Sequence, residues 1–292
     1  MNILLTNLYI TTFGGTENWC YSMAKELIKQ GHKVELYTPT INNFFKKFEE
    51  LGVTFSNGGN YDLILDNHCM VNKIQTKGKI IHTCHGIIDA EKPLPNADLN
   101  VAVTEKVKKT WNLKYVIPNG IDLDRFKIIN KPNDKLKKII SLCKSDTAND
   151  VLKQICNELN LDLEIMFGKE VFNIENKINE ADLVVGIGRS ILDGMACGRP
   201  VVSFDDRFYF KTRMCGNGYI TPDVFYSYTN DDFAEQNKLL PDYTLKTFTK
   251  EELKTEILKY KSEDGIINRK FIIDNYSIQN TVKMYLELYK NL

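Results

Sequence analysis

Along this chain, short apolar runs and helical apolar stripes take turns. Ile3-Leu4-Leu5, within 2–6, is the first run, with no polar interruption, as in a strand buried on both faces. A loop over 7–15 follows. Thr16 then stands as an N-cap for a helix whose Trp19, Met23 and Leu27 recur at every fourth residue until Gly31 closes it. Strands are expected at 33–37, 53–55, 62–65, 79–83, 99–103 and 114–117, and a helix at 44–51. Pro118-Asn119-Gly120 is strong turn punctuation, after which the pattern restarts: strand 139–142, helix 151–159, strand 161–167, helix 174–178 and strand 183–185. Helices at 251–260, 265–274 and 278–289 finish the chain, the last with Val282, Tyr285, Leu286 and Tyr289 on one stripe. Such alternation predicts an α/β protein of two Rossmann-like, doubly wound domains, each with its own first strand, facing one another across a cleft.

The densest chemical signal lies at 183–202. Leu183-Val184-Val185 reads as a buried strand, and Gly186 and Gly188 let the backbone turn sharply and approach a ligand where a Cβ would collide. A helix N-terminus follows, whose free amides and positive dipole end favour phosphate or sugar oxygens. Asp193, one turn inside, can accept two hydrogen bonds from a vicinal diol such as a ribose. Gly198 ends the helix and Pro200 prevents its continuation. The alternative reading of this strand, turn and helix is pure architecture.

Composition excludes more than it names. The 292 residues suit two domains, and 38 basic against 38 acidic residues give zero formal charge, so nothing global advertises nucleic acid or an anionic membrane. Seven cysteines at 20, 69, 84, 143, 156, 197 and 215 are odd in number and form no Cys-x-x-Cys pair, which predicts buried thiols in a reducing compartment. Met1 to Leu5 has neither the charged start nor the apolar run of a signal peptide, and no segment is apolar over a membrane-spanning length. A cytoplasmic protein with no transmembrane segment is expected.

Several stretches, in order, resemble one family. They are Gly14-Gly15-Thr16-Glu17 after the first strand; Val116-Ile117-Pro118-Asn119-Gly120-Ile121-Asp122 with Arg125-Phe126; Ala181-Asp182-Leu183-Val184-Val185; Leu192-Asp193-Gly194-Met195-Ala196-Cys197-Gly198-Arg199-Pro200-Val201-Val202; and Tyr276-Ser277. Together they are similar to the family 4 glycosyltransferases of GT-B fold. The resemblance implies transfer of a sugar from a nucleotide diphosphate donor, such as a UDP- or GDP-sugar, to an acceptor hydroxyl, with retention of configuration and with neither metal nor cofactor. It implies an acceptor-side domain over 1–118, joined by a terminal helix at 277–292 that crosses back, and a donor-binding domain over 119–276. The acceptor could be a glycan, a lipid-linked glycan, a protein, a small metabolite or a modified DNA base.

On this resemblance the donor site comprises Gly14, Gly15, Lys144, Gly186, Gly188, Arg189, Ser190, Ile191 and Asp193. Thr16 and Glu17 lie on the acceptor side, and His85 is the catalytic candidate. The family carries two glutamates with seven residues between them; these positions fall on Val185, which cannot hydrogen-bond a sugar, and Asp193, one methylene shorter. The sugar is then held by backbone amides around 186–190, or the donor is handled differently. The family's basic pair after the first strand of the second domain is not cleanly present, with Lys144 the nearest candidate and Lys153 the alternative.

The remaining motifs carry weaker expectations. Gly14-Gly15 shapes either a simple turn or a loop beneath the diphosphate. His85-Gly86 ends a predicted strand, where open α/β sheets place ligands. His82 and His85 have a metal-like spacing, but no Asp or Cys completes a set, so no metal is expected. Asp205-Asp206 could invite a cation, though the GT-B resemblance argues against it, and Gly216 with Gly218 reads as a loop near the donor or an exposed turn. Two rival functions share the architecture: a sugar-nucleotide epimerase, and a sugar-nucleotide-binding protein without turnover, which Val185 and the missing basic pair favour.

Overall fold

Ile3, Leu4 and Leu5 are fully buried in β1 (Asn2–Thr6), the strand on which the first unit is wound. In the computed structural model, which describes residues 1–11, 14–41, 43–169, 171–207, 213–220 and 246–292, the chain continues through α1 (Gly15–Lys29), β2 (Lys33–Tyr37), α2 (Phe45–Glu49), β3 (Thr54–Phe55) and β4 (Gly59–Asn67). It then forms β5 (Thr76–Cys84), β6 (Leu99–Ala102), α3 (Glu105–Trp111) and β7 (Tyr115–Val116). The strands pair in parallel in the order β3-β2-β1-β4-β5-β6-β7. The chain works outward from β1 to β3 and then returns to the other side of β1 with β4. Their carboxyl ends therefore flank a topological switch point, where open sheets bind ligands.

Helix α1 begins at Gly15, with Gly14 in the N-cap position, so Thr16 is not the cap that its type suggested. Its hydroxyl instead donates to Glu17 Oε2 at 3.3 Å, inside the first turn. The buried stripe of Trp19, Met23 and Leu27 lies in the core beside β1, as the periodicity predicts. Helix α3 was not anticipated, because its apolar face amounts to little more than Val107 and Trp111; Thr104 caps it by accepting the Val107 amide.

The second unit comprises β8 (Lys138–Ser141), α4 (Asp146–Leu159), β9 (Asp162–Ile165), α5 (Ile174–Asn179), β10 (Leu183–Gly186), α6 (Arg189–Ala196) and β11 (Val201–Asp205). After these come β12 (Cys215–Tyr219), β13 (Lys246–Thr247), α7 (Lys250–Ile257) and α8 (Asp264–Asn275). The sheet order is β13-β12-β11-β10-β8-β9, parallel through β9, β8, β10 and β11 and antiparallel beyond. Its switch point lies between β8 and β10. The expected loop at Gly216 and Gly218 is instead strand β12. A Cβ on Gly216 would lie 2.0 Å from the Ser203 carbonyl oxygen, so the glycine permits the strands to approach and does not shape a ligand loop. Thr221 and Pro222, which follow this stretch in sequence, lie outside the described residues.

Helix α9 (Ile278–Tyr289) belongs to the first unit, where Val282 and Tyr285 enter the core and the Tyr285 and Thr83 hydroxyls meet at 2.9 Å. The units are Met1–Asp122 with Tyr276–Leu292, and Leu123–Asn275. Buried Ile121 bonds to the returning chain within the first unit. Its N–H donates to Tyr276 O at 2.7 Å, and its carbonyl accepts from Ile278 N at 3.0 Å. No helix among the described residues is long and apolar enough to cross a membrane.

Candidate functional site

In the second unit, Gly186 is the last residue of β10 and Gly188, at φ +63°, turns the chain into α6 at the switch point. Ser190 packs over Gly186, and Ile191 is fully buried with its amide donating to Gly188 O at 3.0 Å. Arg189 and Asp193 form a pair one turn apart: Nε donates to Oδ1 at 2.8 Å, with side chains 12% and 8% exposed. Both Nη atoms of Arg189 are buried without a partner. Burial pushes the Asp193 carboxyl up from its ordinary value, against the opposing pull of Arg189 and, more weakly, Arg125. The Arg125 guanidinium is fixed by Glu175 at 3.0 Å and lies over the Phe126 and Phe172 rings.

Lys144 follows β8 with an exposed side chain, and its backbone N–H donates to Asp205 Oδ2 at 3.1 Å. Lys153 pairs with Asp150 at 2.8 Å on an exposed face of α4. Val185 is fully buried in the core with Ile139 and Leu152 and faces packing. Asp205 is bonded by Arg207 and Asp206 by Arg213, which accounts for both carboxylates as structural ion pairs. Among the described residues no group of three His, Cys, Asp or Glu side chains is placed to hold a metal ion.

In the first unit the ends of β1, β4 and β5 share a polar network. Thr6 Oγ1 donates to Asp66 Oδ1 at 2.6 Å and accepts the Asn67 amide at 3.1 Å. His82 is fully buried between Asp66 Oδ2 at 2.6 Å and Lys92 O at 3.1 Å, so it holds the strand ends together. His85 is half-buried, donates from Nε2 to Asn67 Oδ1 at 2.9 Å, and stands edge-on to Trp19 with centroids 5.4 Å apart. Burial pulls its pKa down to about 4, so the ring is neutral at physiological pH. Its backbone N–H donates to Glu91 Oε2 at 3.2 Å, and Glu91 Oε1 lies 3.1 Å from His68 Nε2. Glu17 is buried and acts electrostatically on His68. Gly14 lies against Glu17: a Cβ there would sit 2.6 Å from Glu17 Oε2, whereas Gly15 has open space.

The structure thus gathers Glu17 and His85 in one unit and Gly186, Gly188, Arg189, Ser190, Ile191 and Asp193 in the other. Sequence reasoning passed over Asn67, His68 and Glu91. The first two follow a predicted strand end, a signal that could have drawn them in; Glu91 sits in a short 3-10 turn, Asp89–Glu91, that no periodicity marks.

No protein-family model matches the chain, and no curated protein matches it. Solved structures do. A glycosyltransferase from Rickettsia africae superposes with TM-score 0.63 at 13% identity, over 99% of this chain and 98% of that one. HepE of Anabaena, in complex with UDP and glucose, superposes with TM-score 0.64 at 14% identity, over 99% of each chain. An α-glucosyltransferase in complex with UDP and a DNA containing an HMU base gives TM-score 0.55 at 9% identity, over 99% of each chain. Together with the two parallel-dominated α/β sheets, these likenesses give the chain the two-domain, Rossmann-like GT-B fold.

Proposed function

We propose that this protein is a glycosyltransferase that moves a sugar from a nucleotide diphosphate donor to an acceptor hydroxyl, with retention and without a metal. One observation carries the reading: in a GT-B fold, the glycine turn at Gly186 and Gly188 and the Arg189–Asp193 pair stand at the carboxyl-end switch point of the second sheet. That placement suits a donor's phosphates and ribose. HepE binding UDP and glucose supports the donor class. The first unit would offer the acceptor, with Glu17 and His85 beside it and Thr16, Gly14 and Gly15 shaping the preceding loop.

In the proposed step the acceptor oxygen bonds to the anomeric carbon on the face from which the diphosphate departs. The carbon–oxygen bond to the leaving phosphate breaks, and that phosphate oxygen takes the acceptor's proton. No protein nucleophile is needed, and catalysis rests on positioning and electrostatic stabilisation. The cysteines carry no disulfide, which suits the reducing cytoplasm. The acceptor is one of the classes named from the resemblance, a modified DNA base included.

Val185 in the core favours a second reading, a sugar-nucleotide-binding protein without turnover. Incubation with a panel of UDP- and GDP-sugars and acceptor pools separates the readings. Nucleoside diphosphate released with an extended acceptor supports transfer, binding without release supports the second reading, and interconversion of the donor sugar indicates an epimerase.

A further inference from the structure

Glu91 reaches back from its turn with both carboxylate oxygens, one to the His85 backbone N–H and one to His68 Nε2. A single side chain therefore ties the end of β4 to the end of β5, at the residue whose ring is bonded to Asn67. The backbone beside this contact is strained. His68 and Cys69 hold consecutive φ angles of +56° and +57°, a left-handed conformation costly for residues with a Cβ. Such strain persists where the surroundings over-determine it, commonly at working sites.

We propose that Glu91 is the positioning residue for His85, and that the charge on His68 holds Glu91 in place. This rests on the reading of His85 as part of the reaction site. The pair is buried, at 12% and 11% exposure, and a buried carboxylate without a counter-charge is costly. The groups facing His68 are Glu91 from the turn, Glu17 from α1, Asp66 from β4 and the titratable ring of His85 just after β5. Burial pulls the His68 ring down, but Glu91, Glu17 and Asp66 outweigh it and raise it above the ordinary histidine value. His85 is neutral in that range and cannot supply the missing charge. The sign follows. Below the raised His68 value the clamp is charged and closed, and as pH rises through that value Glu91 loses its counter-charge and its hold on the His85 amide weakens.

The chain has four histidines, so each nitrogen-15-labelled ring can be followed by long-range proton–nitrogen correlation NMR across a pH titration of the full, ligand-free chain. The His85 ring resonances should shift with the midpoint of His68. In Glu91→Gln that coupled shift should vanish and His68 should titrate lower, and Glu91→Asp should restore part of both. Should Glu91→Gln not fold, His68→Gln serves in its place. It should hold His85, at every pH above the ring's own titration, in the state that the parent reaches only at high pH. A His85 signal indifferent to His68 in the parent, or a coupled shift that survives in either variant, would overturn the proposal. No substrate enters the measurement, so that result leaves the transferase reading standing, and failure of transfer leaves the clamp standing.

Discussion

Arg189 donates its Nε–H to Asp193 Oδ1 at 2.8 Å, one turn along α6, and leaves both Nη atoms buried and unpartnered. The carboxylate that the sequence offers to a ribose is therefore also the anchor of a guanidinium at the same helix start. Asp193→Ala should weaken nucleotide-sugar binding by about 1.5–3 kcal/mol, the range for a lost charged hydrogen bond. Calorimetric titration of the donor checks this, and unchanged affinity would confine the carboxylate to the helix.

His85→Ala should lower turnover by roughly 10², the scale of losing one well-placed polar contact in a reaction site. Affinity for the free nucleoside diphosphate should hardly change, because the reading assigns the nucleotide to the second unit. Single-turnover rates set beside dissociation constants separate the two effects.

His85 also predicts a pH dependence of stability. Its value falls from 6.5 to about 4 on folding, so the unfolded chain binds the proton more readily. The contribution is complete above 6.5 and is lost as pH falls toward 4, by roughly 3 kcal/mol. Urea midpoints measured across that window should decline with acidification in the parent, and less steeply in His85→Gln. Parallel slopes would contradict the burial argument.

Turnover should survive saturating EDTA, with arginine side chains and helix amides handling the diphosphate. Activity lost to EDTA and restored by Mn²⁺ or Mg²⁺ would return attention to Asp205 and Asp206.

Gly216→Ala should destabilise the second unit by roughly 1–3 kcal/mol or more, since the added carbon meets backbone and not a yielding side chain. Thermal denaturation of the variant tests it, and an unchanged transition would restore the loop reading of this segment.

Where local pattern and burial agree, the sequence is readable. Ile3-Leu4-Leu5, the Trp19-Met23-Leu27 stripe and the 183–202 run all took the form their periodicity predicts. Gly216 and Gly218 misled because glycine marks a turn and a close strand approach with the same letter. Thr16 misled because a capping residue type does not ensure capping geometry, and the N-cap lies two residues earlier, at Gly14. Glu17 and His85 were legible as candidates, but their grouping with Asn67, His68 and Glu91 was not, for a different reason. Its members come from four separate segments, and only the sheet order places the ends of β4 and β5 side by side.

The most direct test of the central claim is binding of nucleoside diphosphates and their sugars at the α6 turn. Isothermal titration of the full chain with UDP, GDP, ADP and dTDP, each alone and as the sugar conjugate, should show saturable binding of at least one pair. That binding should weaken in Asp193→Ala. Absence of binding across the panel, or binding that the substitution leaves intact, would contradict the account.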